Sequence, residues 1–249
     1  MNIKNHIPNL LTLGNLFCGT IAVIFAVQEN FKLAALFVVI GIFFDFFDGF
    51  VARLLNVSGE LGKQLDSLAD MVTSGVVPGI IMFNLLSKNN VVTSFDEKIN
   101  SFSELNIELL PFLGIILTLG ACYRLAKFNI DTRQSDSFIG LPTPAMSLFV
   151  ISLPLILEHS EIEFATNLIS NHYFLIAITV VLTYLMNAEL PLFSLKFKDY
   201  SLKNNIIKYL FLVLSLILII ALIYLSIPLI IMIYVFLSII SNNGKKATV

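Results

Sequence analysis

The sequence predicts an all-α, polytopic membrane protein with about eight transmembrane helices, and three observations carry that prediction. Hydrophobic residues make up 57% of the 249-residue chain and charged residues only 13%, about half the charged share of an ordinary soluble domain. The mean hydropathy is +0.89. The apolar residues also gather into stretches of about 20, the length at which a helix crosses a hydrocarbon core of about 30 Å.

Eight such stretches follow one another along the chain, near 9–28, 33–54, 62–87, 107–128, 140–158, 172–190, 206–225 and 227–241. The first follows a short polar N-terminus without an Ala-x-Ala-type cleavage pattern and reads as a retained span. The third is polar at its start, where it carries Asp66 and Asp70. The eighth is short, and Pro228 marks a tight turn between it and the seventh. No internal repeat is visible, and neither polar connection (88–106 or 191–205) is large enough for a separate domain, so residues 1–249 read as one membrane domain.

Charge placement orients the chain. With the N-terminus in the cytoplasm, the inner segments hold Lys4, Arg53, Lys63, Arg124, Lys127, Arg133, Lys196, Lys198, Lys203, Lys208, Lys245 and Lys246, while the outer loops hold only Lys32, Lys88 and Lys98. That bias predicts both termini inside. The net charge of −2 gives no field for nucleic acid. Cys18 and Cys122, each within an apolar stretch, read as small packing residues rather than a disulfide or zinc pair.

One segment carries the chemistry. Residues 45–70, at the cytoplasmic ends of the second and third helices, read DFFDGFVARLLNVSGELGKQLDSLAD and place Asp45, Asp48, Asp66 and Asp70 in or beside apolar sequence. An uncompensated carboxylate in such a helix costs about 2.5–3.5 kcal/mol on insertion scales. Asp45 and Asp48 are spaced i, i+3 and Asp66 and Asp70 i, i+4, so each pair shares a helix face. Gly49, Ala52 and Gly62 keep those faces free of bulk. Two facing carboxylate pairs form an all-oxygen site, suited to hard divalent cations rather than zinc or copper. Arg53, at the end of the same helix, is placed to meet a phosphate. Such acids would otherwise pair structurally with Arg53, Lys63 and Arg124, or mark a cation or proton pathway. A transporter would spread its acids over distant helices; here they are concentrated, apart from Glu189.

The full pattern, Asp45-x2-Asp48-Gly49-x2-Ala52-Arg53-x8-Gly62-x3-Asp66-x3-Asp70, resembles the signature of the CDP-alcohol phosphatidyltransferase family at every fixed position. The resemblance implies that family's membrane fold and transfer of a phosphatidyl group from a CDP-linked lipid to an alcohol, with release of CMP. It implies that the four aspartates hold divalent metal, Mg2+ or Mn2+ and two ions, that Asp70 is the general base, and that Asp48, Gly49, Ala52, Arg53 and Gly62 meet the CDP-lipid. Pro8-Asn9-Leu10-Leu11-Thr12 with Gly14-Asn15, then Arg124-Leu125-Ala126-Lys127-Phe128-Asn129, then Phe138-Ile139-Gly140-Leu141-Pro142-Thr143-Pro144-Ala145, resemble the serine-using branch over about the first 150 residues. That adds Asn9 and Thr12 near the nucleotide, and CDP-diacylglycerol and L-serine as substrates. Lys127 departs from the arginine of many members, keeping charge but losing the bidentate fork.

Serine carries a carboxylate, so a cationic pocket near the metals is expected, formed by Arg124 with Lys127 and Arg133 behind it. Glycerol 3-phosphate or inositol phosphate, the alternative acceptors, would want more basic residues around the cavity. The family tends to dimerise, and Gly75-x3-Gly79 offers a close-packing face to a second copy or to another helix of the same chain.

Overall fold

The computed structural model describes residues 6–57, 59–88, 109–131, 138–193 and 201–246, so Arg133 lies outside the described residues. The first two helices, α1 (His6–Val27) and α2 (Phe31–Leu54), form a hairpin. Its turn is closed by Asn30, whose side chain caps α2 by accepting from the Leu33 amide at 3.2 Å. A second helical rod begins with α3 (Glu60–Asp70), passes through a π-helical turn at Met71–Val76 and continues as α4 (Val77–Lys88). A 3₁₀ turn at Leu110–Ile115 opens the fourth rod, whose α-helical part is α5 (Ile116–Ile130).

α6 (Thr143–His159) is the centre of the bundle. Eleven of its 17 residues are buried, among them Met146, Phe149, Val150, Leu153 and Ile156. These meet Ile81, Met82 and Leu86 of α4, and Leu175 and Met186 of α8 (His172–Asn187), in one hydrophobic core. Between α6 and α8 runs the short α7 (Glu163–Ile169), bent 75° from α8. The chain ends in α9 (Leu202–Leu222) and α10 (Ser226–Lys246), which are little buried. Large apolar side chains also point outward on the earlier helices, for example Phe17 at 66% and Phe46 at 62% exposure. In water such a surface would aggregate; in a bilayer it is solvated. The protein is a multi-pass membrane protein.

All eight apolar stretches fall on helices, with shifted ends. Among the described residues, five helical runs are long and apolar enough to cross a membrane, and six if α7 and α8 count as one bent span. Two features account for the lower number. α6, mostly buried within the bundle, has only 17 residues and falls below the length counted as a span. α9 and α10 belong to one apolar run of 36 residues, Asn205–Ile240. That run breaks at Ile223, which has a left-handed φ of 44°, and not at Pro228. Pro228 sits in the first turn of α10, where its missing N–H costs nothing.

The two ends of the bundle are distinct. At one, Lys32 pairs with Glu158 at 2.8 Å and Lys88 with Glu29 at 2.6 Å, tying the α1–α2 turn to α4 and α6. At the other lie the acidic ends of α2 and α3. There a two-residue strand, β1 (Phe138–Ile139), pairs antiparallel with β2 (Pro191–Leu192). Gly140 turns out of β1 with φ +76°, and a side chain at that position would run into the Met186 carbonyl. The Gly140 and Leu141 amides then donate to the carbonyls of Leu190 and Leu185. The 138–145 stretch is thus a splint between α5, α6 and α8. The cysteines make no disulfide; Cys18 is buried as expected, while Cys122 faces outward on α5.

Candidate active site

Three helices supply the acidic site. The last turns of α2 carry Asp45 and Asp48, α3 carries Asp66 and Asp70, and α1 lies alongside both. Asp45, Asp48 and Asp66 each offer a carboxylate oxygen within 4.8 Å of the others. The carboxyls of Asp45 and Asp66 are within hydrogen-bond reach of each other. Among the described residues no Lys or Arg comes within the 4.0 Å of an ion pair to any of the four aspartates. Of the residues that the structural reading would use to neutralise them, Arg53 and Lys63 make no ion pair with the aspartates, and Arg124 acts on Asp70 alone and from beyond ion-pair distance. Three clustered carboxylates without a cationic partner fit a hard divalent cation, held by Asp45, Asp48 and Asp66.

Asp70 lies beside that trio, close enough for its charge to act on Asp45 and for Asp66 and Asp48 to act on it, but outside the 4.8 Å group. The sequence suggested two equivalent pairs; Asp70 has partners of its own besides the other acids. Its Oδ1 accepts from Asn15 Nδ2 at 3.2 Å, and it faces the charge of Arg124 across the bundle. It is the last residue before the π-helical turn, a kind of insertion that recurs at functional sites.

A cavity of about 520 Å³ opens beside the trio. Six residues expected to meet the CDP-lipid line it: Asn9, Thr12, Asp48, Gly49, Ala52 and Gly62. Thr12 is buried and its hydroxyl donates to Asp48 Oδ2 at 2.5 Å. It therefore orients a carboxylate as well as lining the wall. Arg53, the seventh expected residue, has an exposed side chain and is not on the wall.

The basic residues separate. Arg124 is 8% exposed, and its Nε has no hydrogen-bond partner among the described residues. Beside it a crevice of about 10 Å³, room for about one water, is bounded by Lys127, Ile139 and Asn187. Lys127 reaches Glu189 at 3.6 Å.

A family model described as CDP-alcohol phosphatidyltransferase matches residues 5–185, which include the trio, Asp70, the cavity and Arg124. The chain belongs to that family. A Bacillus subtilis protein named CDP-diacylglycerol–serine O-phosphatidyltransferase is 36% identical over 153 residues, covering 60% of this chain and 75% of that one. A Helicobacter pylori protein of the same name is 34% identical over 146 residues, covering 58% of this chain and 55% of that one, so the match spans little more than half of the Helicobacter relative. An archaetidylserine synthase of Methanothermobacter thermautotrophicus is 26% identical over 179 residues, covering 71% of this chain and 66% of that one. The family match stops short of α9 and α10, where the sequence had offered only a hydrophobic pattern.

Within this family frame the sequence reading had passed over several contributors. Lys63 lines the cavity and donates to the Asn129 carbonyl, while Asn129 Nδ2 donates to Ser67 at 2.9 Å. These contacts hold α3 to the end of α5. Gly59 and Val57, from the α2–α3 turn, complete the cavity rim. Asn15 and Thr73 were also missed as site residues. Their signal was available: Asn15 lies three residues after Thr12, and Thr73 three after Asp70, each a polar group on the same face of an apolar helix.

Proposed function

We propose that this protein transfers the phosphatidyl group of CDP-diacylglycerol to the hydroxyl of L-serine, giving phosphatidylserine and CMP. One observation carries the reading. Two of the three clustered carboxylates, Asp48 and Asp66, line a cavity together with Gly49, Ala52 and Gly62, which the family signature assigns to the CDP-lipid. The serine assignment is supported by the names of the relatives and by Arg124, a buried guanidinium beside the acidic site.

Asp45, Asp48 and Asp66 would hold Mg2+ or Mn2+, with Asp70 at the edge of a two-ion site. Such cations, when bound, would supply positive charge to offset that of the pyrophosphate and of the leaving CMP. The chain's own residues do the rest. The cavity beside Asn9, Gly49 and Gly62 takes the CDP head, and the small residues let it approach the α2 and α3 backbones. Asp70 accepts the serine hydroxyl proton as that oxygen bonds to the β-phosphorus. The bond from that phosphorus to the CMP oxygen breaks and CMP leaves. Because Arg124 faces Asp70, a serine with its hydroxyl at Asp70 can direct its carboxylate to the guanidinium; Lys127, paired with Glu189, and Arg133, outside the described residues, are the further candidates for the serine side. Both termini and this site face the cytoplasm of a bacterial inner membrane, where nucleotide and serine are available, and the chain works as a homodimer.

The test is product identification. Purified protein with CDP-diacylglycerol, divalent metal and a panel of alcohols should release CMP only with serine and yield phosphatidylserine. Release with glycerol 3-phosphate or an inositol phosphate instead would refute the acceptor; no release with any alcohol would refute the chemistry.

A further inference from the structure

We propose that Asn15 and Thr73 are positioning residues that aim the Asp70 carboxylate for the transfer reaction, an inference that rests on Asp70 acting as the base. Asn15 is fully buried at 0% exposure, and Thr73 likewise. Neither touches the cavity. Their polar atoms form a directed chain. A carboxylate only accepts hydrogen bonds, so the Asn15 amide must present its Nδ2 to Asp70, at 3.2 Å. That choice leaves Asn15 Oδ1, an acceptor, facing Thr73. The Thr73 hydroxyl must then donate to it, and does so at 2.8 Å. The orientation of one side chain fixes the next, and the direction runs from Thr73 through Asn15 to a single oxygen of Asp70. Oδ2 is left for the substrate.

The surrounding backbone is built to bring this chain together. Thr73 lies in the π-helical turn directly after Asp70. The opposing residue on α2 is Gly41, where an added Cβ would come within 2.9 Å of both Asn15 Oδ1 and Thr73 Cγ2. Three elements therefore converge where the amide sits, and the amide cannot swing aside. A carboxylate held by one oxygen from behind keeps its angle to the incoming hydroxyl. Without that hold the carboxylate can rotate and loses its fixed angle to the hydroxyl.

The experiment compares space-conserving variants of the full chain purified in detergent. Thr73→Val removes the donor and keeps the shape; Asn15→Leu removes the amide. Both should lower kcat about 10- to 100-fold, the usual cost of losing an orienting partner, with KM for CDP-diacylglycerol and serine within about twofold of wild type. Thr73→Ser, which restores the donor, should recover turnover to within about threefold. Equal turnover in Thr73→Val and Thr73→Ser would overturn the proposal, as would a rise in KM at unchanged kcat. Should Asn15→Leu fail to fold, the Thr73 pair decides by itself. Asp70→Asn is measured in parallel. If it keeps full turnover, the base assignment fails; if it is inactive while Thr73→Val is fully active, only the positioning role fails.

Discussion

Gly49→Ala should make this protein more stable and a worse enzyme. Gly49 lies inside α2 with an ordinary helical backbone, and a Cβ built there meets nothing within 4 Å. Replacing an interior helical glycine by alanine in open space gains about 0.5–1 kcal/mol, so the midpoint of thermal unfolding should rise slightly. Yet the open space is the cavity. If the CDP head fills it, the added methyl overlaps the ligand, and overpacking of that size costs about 1–3 kcal/mol. At tenfold per 1.4 kcal/mol this raises KM for CDP-diacylglycerol about 5- to 140-fold. The two measurements have opposite signs and come from one purified sample, by thermal unfolding in detergent and by CMP release against lipid concentration. Unchanged KM with raised stability would mean that the cavity beside Gly49 is not where the nucleotide-lipid sits.

Three further outcomes follow from the same geometry. Thr12→Val removes the 2.5 Å hydrogen bond that orients Asp48; the divalent-cation concentration giving half-maximal turnover should rise about 10- to 100-fold, and an unchanged titration would separate Thr12 from the metal site. Arg124→Ala should raise KM for serine at least about tenfold with KM for CDP-diacylglycerol nearly constant, since its buried Nε is left without a protein partner; equal rises in both would make Arg124 a structural residue. Gly114→Ala is a stability test away from the site: its Cβ would fall 2.6 Å from the Phe83 amide nitrogen, a backbone atom that cannot step aside. It should cost about 1–3 kcal/mol, read as a lower unfolding midpoint with KM values unchanged.

Much of this site could be read in the linear chain because its grammar is local. Asp45 and Asp48, or Asp66 and Asp70, are neighbours on a helix face by spacing alone, and a carboxylate in apolar sequence is conspicuous on energetic grounds. The glycine and alanine of the signature likewise declared the cavity wall. What spacing could not reveal was the inequality of the four acids. Asp70 differs from Asp66 through Asn15, 55 residues away on α1, and that pairing exists only once α1, α2 and α3 are packed. Arg53, placed by its spacing at the end of α2, is exposed there and is not among the residues that line the cavity. The count of long apolar helices, lower than the eight apolar stretches, shows a related limit. Hydropathy reports how apolar a helix is, not whether lipid or protein surrounds it, and α6 is apolar because it is the core.

The π-helical turn at Met71–Val76 sets the rotational phase of everything after it. One extra residue in a helical turn advances the following helix by about 100°. Upstream of the turn, α3 presents Asp66 and Asp70 to the site; downstream, α4 presents Val77, Ile81 and Leu85 to the core. A regular helix through the same residues could not hold both faces in register. Deleting one residue from this turn would therefore act as a frameshift in angle: it would leave the span hydrophobic and long enough, yet force the protein to choose between its acids and its core.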